Sequence, residues 1–384
     1  MQNHIPRQNS TSRRSFLQTM AGAAALALTP LASLRAQNGP RISLGLDTYS
    51  IRGLKWKAPK ILEYAAKLKL DAVMISPATF EGSDEAYFKQ LGEQARRLGI
   101  RIQPAFNAIC ELSKAWKPKE QGDPVKYLLQ CIKQTKALGA DRFRTLMGVS
   151  DDREQLKPID AMMEATIKCL RSVRAQAMDA GVKIALENHG DMQARQMKTL
   201  IEAAGREFVG CCFDAGNPVR MLEDPVAAFE MFAPYTFATH MRDSVIYEHP
   251  RGAAYQWVAL GDGQIDFKRI VSRLAEQCPQ AVFFLEIITG RPAEVLPYLE
   301  PDFWKVFPKA DITDFAKWLA LARKGRPFTG TMSIADEGTK QPPENQAALL
   351  QQQRSDSERS LAYAKKVLDV GVNWRALTTA HASM

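Results

Sequence analysis

Four apolar runs in this chain each end in a group that can hold a proton or a cation: KIALE in Glu187, GCCFD in Asp214, TFATH in His240 and VFFLE in Glu286. An unpaired carboxylate or imidazole is costly to bury, so groups in such positions must pair with one another or share a positive ion. Three carboxylates brought to one place repel unless a cation sits among them. Three hard oxygen ligands with one imidazole suit Mn²⁺, Mg²⁺, Co²⁺ or Zn²⁺ and leave coordination positions for two substrate oxygens. Each residue alone has a plainer reading, since a strand-terminal Asp such as Asp214 often caps the helix that follows. Four strand ends doing so together, one of them a histidine, is the weaker explanation. One divalent metal ion, held by Glu187, Asp214, His240 and Glu286, is therefore expected.

The neighbouring residues extend the site. Asn188, His189 and Asn217 are placed to meet substrate hydroxyls, Arg242 to hold an oxyanion, and Asp243 to orient His240 or a neighbouring group. Asn107 and Asp47, at the ends of earlier strands, are candidates for substrate contact or for the surroundings of the metal. The plainer alternatives are a structural His189 and an Arg242 that only neutralises the carboxylates. Residues 245–260, with Tyr255 and Trp257, read as a loop that is either a lid over a sugar ring or ordinary surface.

Positioning four such residues at one place requires strands that end together. Runs rich in β-branched and aromatic residues occur at 42–51, 71–76, 100–107, 142–148, 182–189, 208–217, 236–244 and 281–287. Segments of helical period lie between them, several closed by a glycine suited to a left-handed C-cap: Gly99, Gly139, Gly181 and Gly205. Eight βα units predict a (β/α)8 TIM barrel over residues 40–290, with reactive groups at the C-terminal strand ends. A doubly wound sheet would carry a glycine-rich loop after its first strand, where Asp47-Thr48-Tyr49-Ser50 stands instead. Residues 291–384 do not extend the βα pattern and read as a helical extension that either caps the barrel or mediates self-association in a homo-oligomer.

Residues 1–36 have the layout of a twin-arginine export signal: Arg13-Arg14 before Ser15-Phe16-Leu17, an alanine-rich apolar stretch, and Ala36 as a small cleavage residue. The apolar stretch is about fifteen residues, too short for a stable membrane anchor. The expected location is periplasmic or secreted from a bacterium, with the Tat translocon as partner during export. The net charge of +9 includes four signal arginines, and without them 47 basic residues face 42 acidic ones, or +5. No basic block or basic-aromatic stripe is present, which disfavours nucleic-acid binding. The six cysteines show no CxxC pairing and read as buried free thiols.

The motifs ALENHG, FDAGNP, THMRD and FLEI, in that order, with GDGQIDF before the last helix of the barrel, resemble the xylose isomerase-like TIM-barrel superfamily, the sugar phosphate isomerase/epimerase group. The resemblance implies that Glu187, Asp214, His240 and Glu286 bind one divalent metal, and that Glu187 and Glu286 flank a substrate carbon and exchange its proton. The chemistry agrees, because a cation on a carbonyl and its neighbouring hydroxyl acidifies the C–H between them. One departure matters. Ketose epimerases and the DNA-repair nucleases of this superfamily tend to carry a histidine three residues after the aspartate, where this chain has Asn217. The expected activity is metal-dependent isomerisation or epimerisation of a non-phosphorylated sugar or sugar derivative. The alternatives are a lyase or hydratase that cleaves oxidised (3-keto) glycosides by elimination, and a carbohydrate-binding barrel without turnover.

Overall fold

A computed structural model describes residues 42–335 and 340–376. The proposed export signal lies outside the described residues. No described helix is long and apolar enough to cross a membrane.

Eight parallel strands form the barrel: β1 (Ser43–Asp47), β2 (Ala72–Ile75), β3 (Arg101–Ala108), β4 (Arg142–Leu146), β5 (Lys183–Glu187), β6 (Val209–Asp214), β7 (Thr236–His240) and β10 (Val282–Leu285), in the order β10-β1-β2-β3-β4-β5-β6-β7. Closure between β7 and β10 rests on one backbone bridge, Met241 to Leu285. The Thr239 hydroxyl reinforces it, donating to the Val282 carbonyl at 2.7 Å and accepting from the Phe284 amide at 3.1 Å. This is the TIM barrel that the sequence predicts.

Side chains alternate along each strand. Leu44, Val73, Ile184, Cys211, Phe213 and Phe283 point outward to the helices, while Ala72, Met74, Ala105, Ala185, Cys212, Ala238 and Phe284 fill the barrel. The filling is tight. A Cβ on Gly45 would run into the Phe284 ring, so β1 can pass that ring only with glycine there. All six cysteines are free and buried.

Two strands stop earlier than the apolar runs suggest because an aspartate begins a turn. Asp47 accepts from the Tyr49 amide and starts the 3-10 helix Thr48–Leu54. Asp214 accepts from the amides of Gly216 and Asn217 and starts the single turn Asn217–Arg220.

Two parts of the molecule differ from the expectation. Residues 245–260 are not a loop. They form a hairpin of β8 (Asp243–His249) and β9 (Gly252–Val258), joined by β11 (Glu294–Leu296) into a three-stranded antiparallel sheet. Tyr255, Trp257, Phe307 and Trp318 pack beneath this sheet in their own cluster, so its apolar alternation serves packing. The extension is also not purely helical, since it supplies β11. Its long helix, Pro343–Lys366, packs beside the 3-10 helix after β1, with Tyr64 Oη donating to Glu358 at 2.8 Å on one flank and the Leu260 amide donating to Ser360 on the other. It occupies the place of the eighth barrel helix, separated from β10 by a segment whose described part, residues 286–335, joins the β8–β9 hairpin to build a cap.

Candidate metal centre

Strands β5, β6 and β7 and the residue after β10 deliver Glu187, Asp214, His240 and Glu286 to one mouth of the barrel. One ligand atom from each lies within 4.8 Å of the others. Metal–ligand bonds of about 2.0–2.2 Å place opposed donors roughly 4 Å apart, so the spacing fits a single first-row or magnesium ion after slight contraction. All four residues are buried.

The donors left over are the stronger sign. Glu187 Oε1, Asp214 Oδ2 and His240 Nδ1 are buried without a hydrogen bond. Native interiors leave few polar atoms in that state. His240 Nδ1 faces Glu187 Oε1 at 3.2 Å and Glu286 Oε2 at 3.7 Å. Asp214 serves both of its readings at once: Oδ1 caps the following turn, while Oδ2 lies 2.8 Å from Arg242 Nη2 without hydrogen-bond alignment. The residues therefore fit a divalent cation.

Electrostatics hold the group together. Burial alone would raise the pKa of Glu187, but Arg144 and then His240 outweigh it and keep the carboxyl well below its usual range. Burial would likewise lower His240, yet the Glu187 and Glu286 carboxylates hold it well above the ordinary histidine value. Glu286 is kept low by His240 and Arg242 against the effect of its burial. Asp214 is pushed up, first by burial and then by its acidic neighbours.

Arg144 on β4 was not expected in the site. Its guanidinium pairs with Glu187 Oε2 and also donates to the Phe106 carbonyl at 3.3 Å. The signal was present in RFRTL, where a charged residue occupies an inward position of a strand. Arg242 lies with Nε 3.1 Å from Asp214 Oδ1, Nη1 3.6 Å from Glu286, and its guanidinium 4.2 Å over the Trp257 ring. The cap thus supports the site through Trp257.

The remaining expected residues divide. His189 Nδ1 and Asn217 Nδ2 are buried without hydrogen-bond partners among the described residues. Burial holds the His189 imidazole down to about 4, so it is neutral at pH 7. The Asn188 amide brackets the Asp214 backbone, donating to O at 3.0 Å and accepting from N at 2.7 Å. It ties β5 to β6 and keeps one N–H and one oxygen lone pair beyond these two bonds. Asp243 does not orient His240. Its carboxylate accepts amides from Ser244, Gly261, Gly263 and Ile265 and so folds the GDGQID turn. The carboxylate beside His240 is Asp47, whose Oδ2 lies 3.3 Å from Nε2, the arrangement that typically fixes a ligating imidazole. Asn107 is exposed and lines a groove with Phe80, Gln121 and Tyr127, outside the quartet.

Fold and site together define a (β/α)8 barrel with a metal-competent acidic centre at its C-terminal mouth. The xylose isomerase-like TIM barrel family matches residues 62–305, and the chain belongs to that family. Among curated proteins it is 26% identical over 102 residues to the uncharacterised YihM of Escherichia coli K12, covering 27% of this chain and 31% of YihM. It is 23% identical over 239 residues to 3-oxo-isoapionate decarboxylase of Pectobacterium atrosepticum, covering 59% of this chain and 78% of that protein. Among solved structures, D-psicose 3-epimerase of Clostridium cellulolyticum H10 aligns with a TM-score of 0.52 at 14% identity, over 85% of this chain and 99% of the epimerase. The IolI protein, solved with a zinc atom, aligns with a TM-score of 0.50 at 18% identity, over 73% of this chain and 95% of IolI. These likenesses are of fold.

Proposed function

We propose that this protein is an exported, divalent-metal-dependent isomerase or epimerase of a non-phosphorylated sugar or sugar derivative. The observation that carries the reading is the convergence of three orphaned donors, Glu187 Oε1, Asp214 Oδ2 and His240 Nδ1, beside Glu286. A divalent ion held by the four residues would polarise a sugar carbonyl and acidify the adjacent C–H. Glu286, kept ionised by His240 and Arg242, is the carboxylate assigned to take that proton. Glu187, which meets the same His240 Nδ1 as Glu286, is assigned to return the proton. Neutral His189 and the Asn217 amide hold substrate hydroxyls through their unpartnered nitrogens. Arg242 balances the anionic charge that develops.

A second reading is favoured by Arg144. Its tight pairing with Glu187 weakens that carboxylate as a base and leaves Glu286 as the freer of the two. One base suffices for elimination: it removes the proton next to the ketone of an oxidised glycoside, and the glycosidic oxygen leaves. The relative named 3-oxo-isoapionate decarboxylase and Asn217 in the usual histidine position support this reading.

Incubation of the metal-loaded protein with free sugars, glycosides and 3-keto glycosides in D₂O separates the two. Solvent deuterium in an isomerised product supports isomerisation or epimerisation, and aglycone release supports elimination. Binding without turnover would make the protein a carbohydrate-binding barrel. Absence of divalent metal from the wild type, with Glu187→Gln and Glu286→Gln indistinguishable from it, would overturn the site assignment.

A further inference from the structure

A cavity of about 350 Å³ lies between the cap and the loops that follow β4, β5 and β6. Ser150 and Glu154 come from the first loop, Gly190 from the second and Arg220 from the third, while Glu294 and Phe303 come from the cap. These are C-terminal strand ends, so the cavity opens on the same face as the quartet. It is also close to it along the chain: Gly190 follows His189 directly, and Arg220 is one helical turn beyond Asn217.

The chemistry of its walls is specific. Arg220 is mostly buried, and only its Nη2 meets protein acceptors, Glu154 at 3.2 Å and Glu294 at 3.4 Å. Among the described residues, Nε and Nη1 make no hydrogen bond. Glu294 receives the Tyr255 hydroxyl at 2.6 Å through Oε2, which leaves Oε1 as a spare acceptor. Phe303 and Phe307, packed on each other with ring centroids 5.3 Å apart, add an aromatic wall. Arg220 is already paired with two carboxylates, and Arg153, the other guanidinium in the wall, is taken up by Asp191, Val306 and Gln196, so the wall does not favour a phosphate. Spare donors, spare acceptors and aromatic rings together match a neutral polyhydroxy ring. The volume is at the small end of ligand pockets, roughly 300–1,000 Å³, and has room for one such ring.

We infer that this cavity binds a second sugar unit, so that the substrate spans two units: one at the quartet and its glycosidic partner between Arg220, Glu294 and Phe303. The inference rests on the carbohydrate reading given above and narrows its substrate class to disaccharides and related glycosides. It also gives the cap a function beyond packing, because Glu294 and Phe303 exist only in the segment inserted before the last barrel helix.

The test is calorimetric binding to the metal-loaded full chain of cellobiose, maltose and lactose against glucose and galactose. At least one disaccharide is expected to bind tenfold or more tightly than its constituent monosaccharides. Arg220→Met and, separately, Phe303→Ala are expected to reduce that preference to below threefold, with bound metal per folded chain unchanged. Glu294→Gln, an isosteric change, gives the same readout if either of the others fails to fold. Equal binding of both sugar classes, no binding of any disaccharide, or a preference that survives the variants would overturn the inference. Deuterium exchange judges the catalytic reading separately. A monosaccharide processed without disaccharide preference sinks the subsite and leaves that reading standing. A disaccharide preference lost in Phe303→Ala without turnover does the reverse.

Discussion

Two buried aspartates at opposite ends of the barrel show how the same side chain serves structure in one place and chemistry in another. Asp71, at the N-terminal end of β2, accepts the amides of Leu44 at 2.7 Å, Val372 at 2.8 Å and Asn373 at 2.7 Å. Both of its oxygens are used, and it ties the C-terminal segment to the barrel floor. Asp214, at the C-terminal end of β6, uses Oδ1 in the same way but keeps Oδ2 without a hydrogen bond. A buried carboxylate that is fully satisfied has no capacity left for a ligand. One that is half satisfied, among neighbours in the same condition, is a site.

The contrast breaks most sharply at the mouth. Glu187→Gln is expected to lower turnover by more than about 10³-fold, beyond the roughly 10–100-fold typical of an outer-shell residue, and to abolish stoichiometric metal binding while the chain stays folded. Metal analysis with a thermal melt checks both halves. At the floor, Asp71→Ala should strip three amides of their acceptor and destabilise the protein by about 3 kcal/mol in urea unfolding, with bound metal per folded chain unchanged. Loss of metal from the folded Asp71 variant would erase the distinction between the two ends.

Asp47 tests the middle ground, because it supports a ligand without being one. Asp47→Asn is expected to weaken metal affinity by about 10–100-fold, measured by competition with a chelator, and to leave the four-residue stoichiometry of one ion intact.

Glu223 sharpens the comparison from a third position. Buried and accepting only the Ala194 amide, it is pushed by burial to about 8. A carboxyl raised in the folded state contributes stability that is complete below its ordinary value of 4.5 and is lost as pH rises through 8. Glu223→Gln keeps the acceptor and cannot ionise. Its thermal midpoint should match wild type at pH 5 and exceed it by about 2–4 °C at pH 8, by scanning calorimetry.

The quartet was legible because each member ends an apolar strand, where a charge stands out against its neighbours. Asp47 was visible for the same reason, but its role was not: only the fold brings β1 beside β7 through β10, so the sequence neighbour Asp243 looked like the partner of His240. Arg144 escaped because RFRTL carries two arginines, and alternation alone does not say which face is the barrel interior. The eighth helix was hidden by distance. More than fifty residues of cap separate β10 from Pro343–Lys366, and a βα unit interrupted at that length no longer reads as a unit. The hairpin β8–β9 was mistaken for a loop because its alternating residues follow β7 with no turn signal between them.

The displaced helix sets a timetable for folding. β1 lies between β2 and β10, its flank is covered by residues 343–366, and Gly371 donates to the Ile42 carbonyl at 2.9 Å. At about 5–20 residues per second, the ribosome needs roughly 15–60 s after making β1 before that helix exists. During that interval β1 can gain both of its strand neighbours but not the helix that covers its outer face, which leaves an apolar surface open to wrong contacts. A chain cut short before residue 343 would keep all four metal ligands and both strand neighbours of β1, and still leave that strand's outer face uncovered.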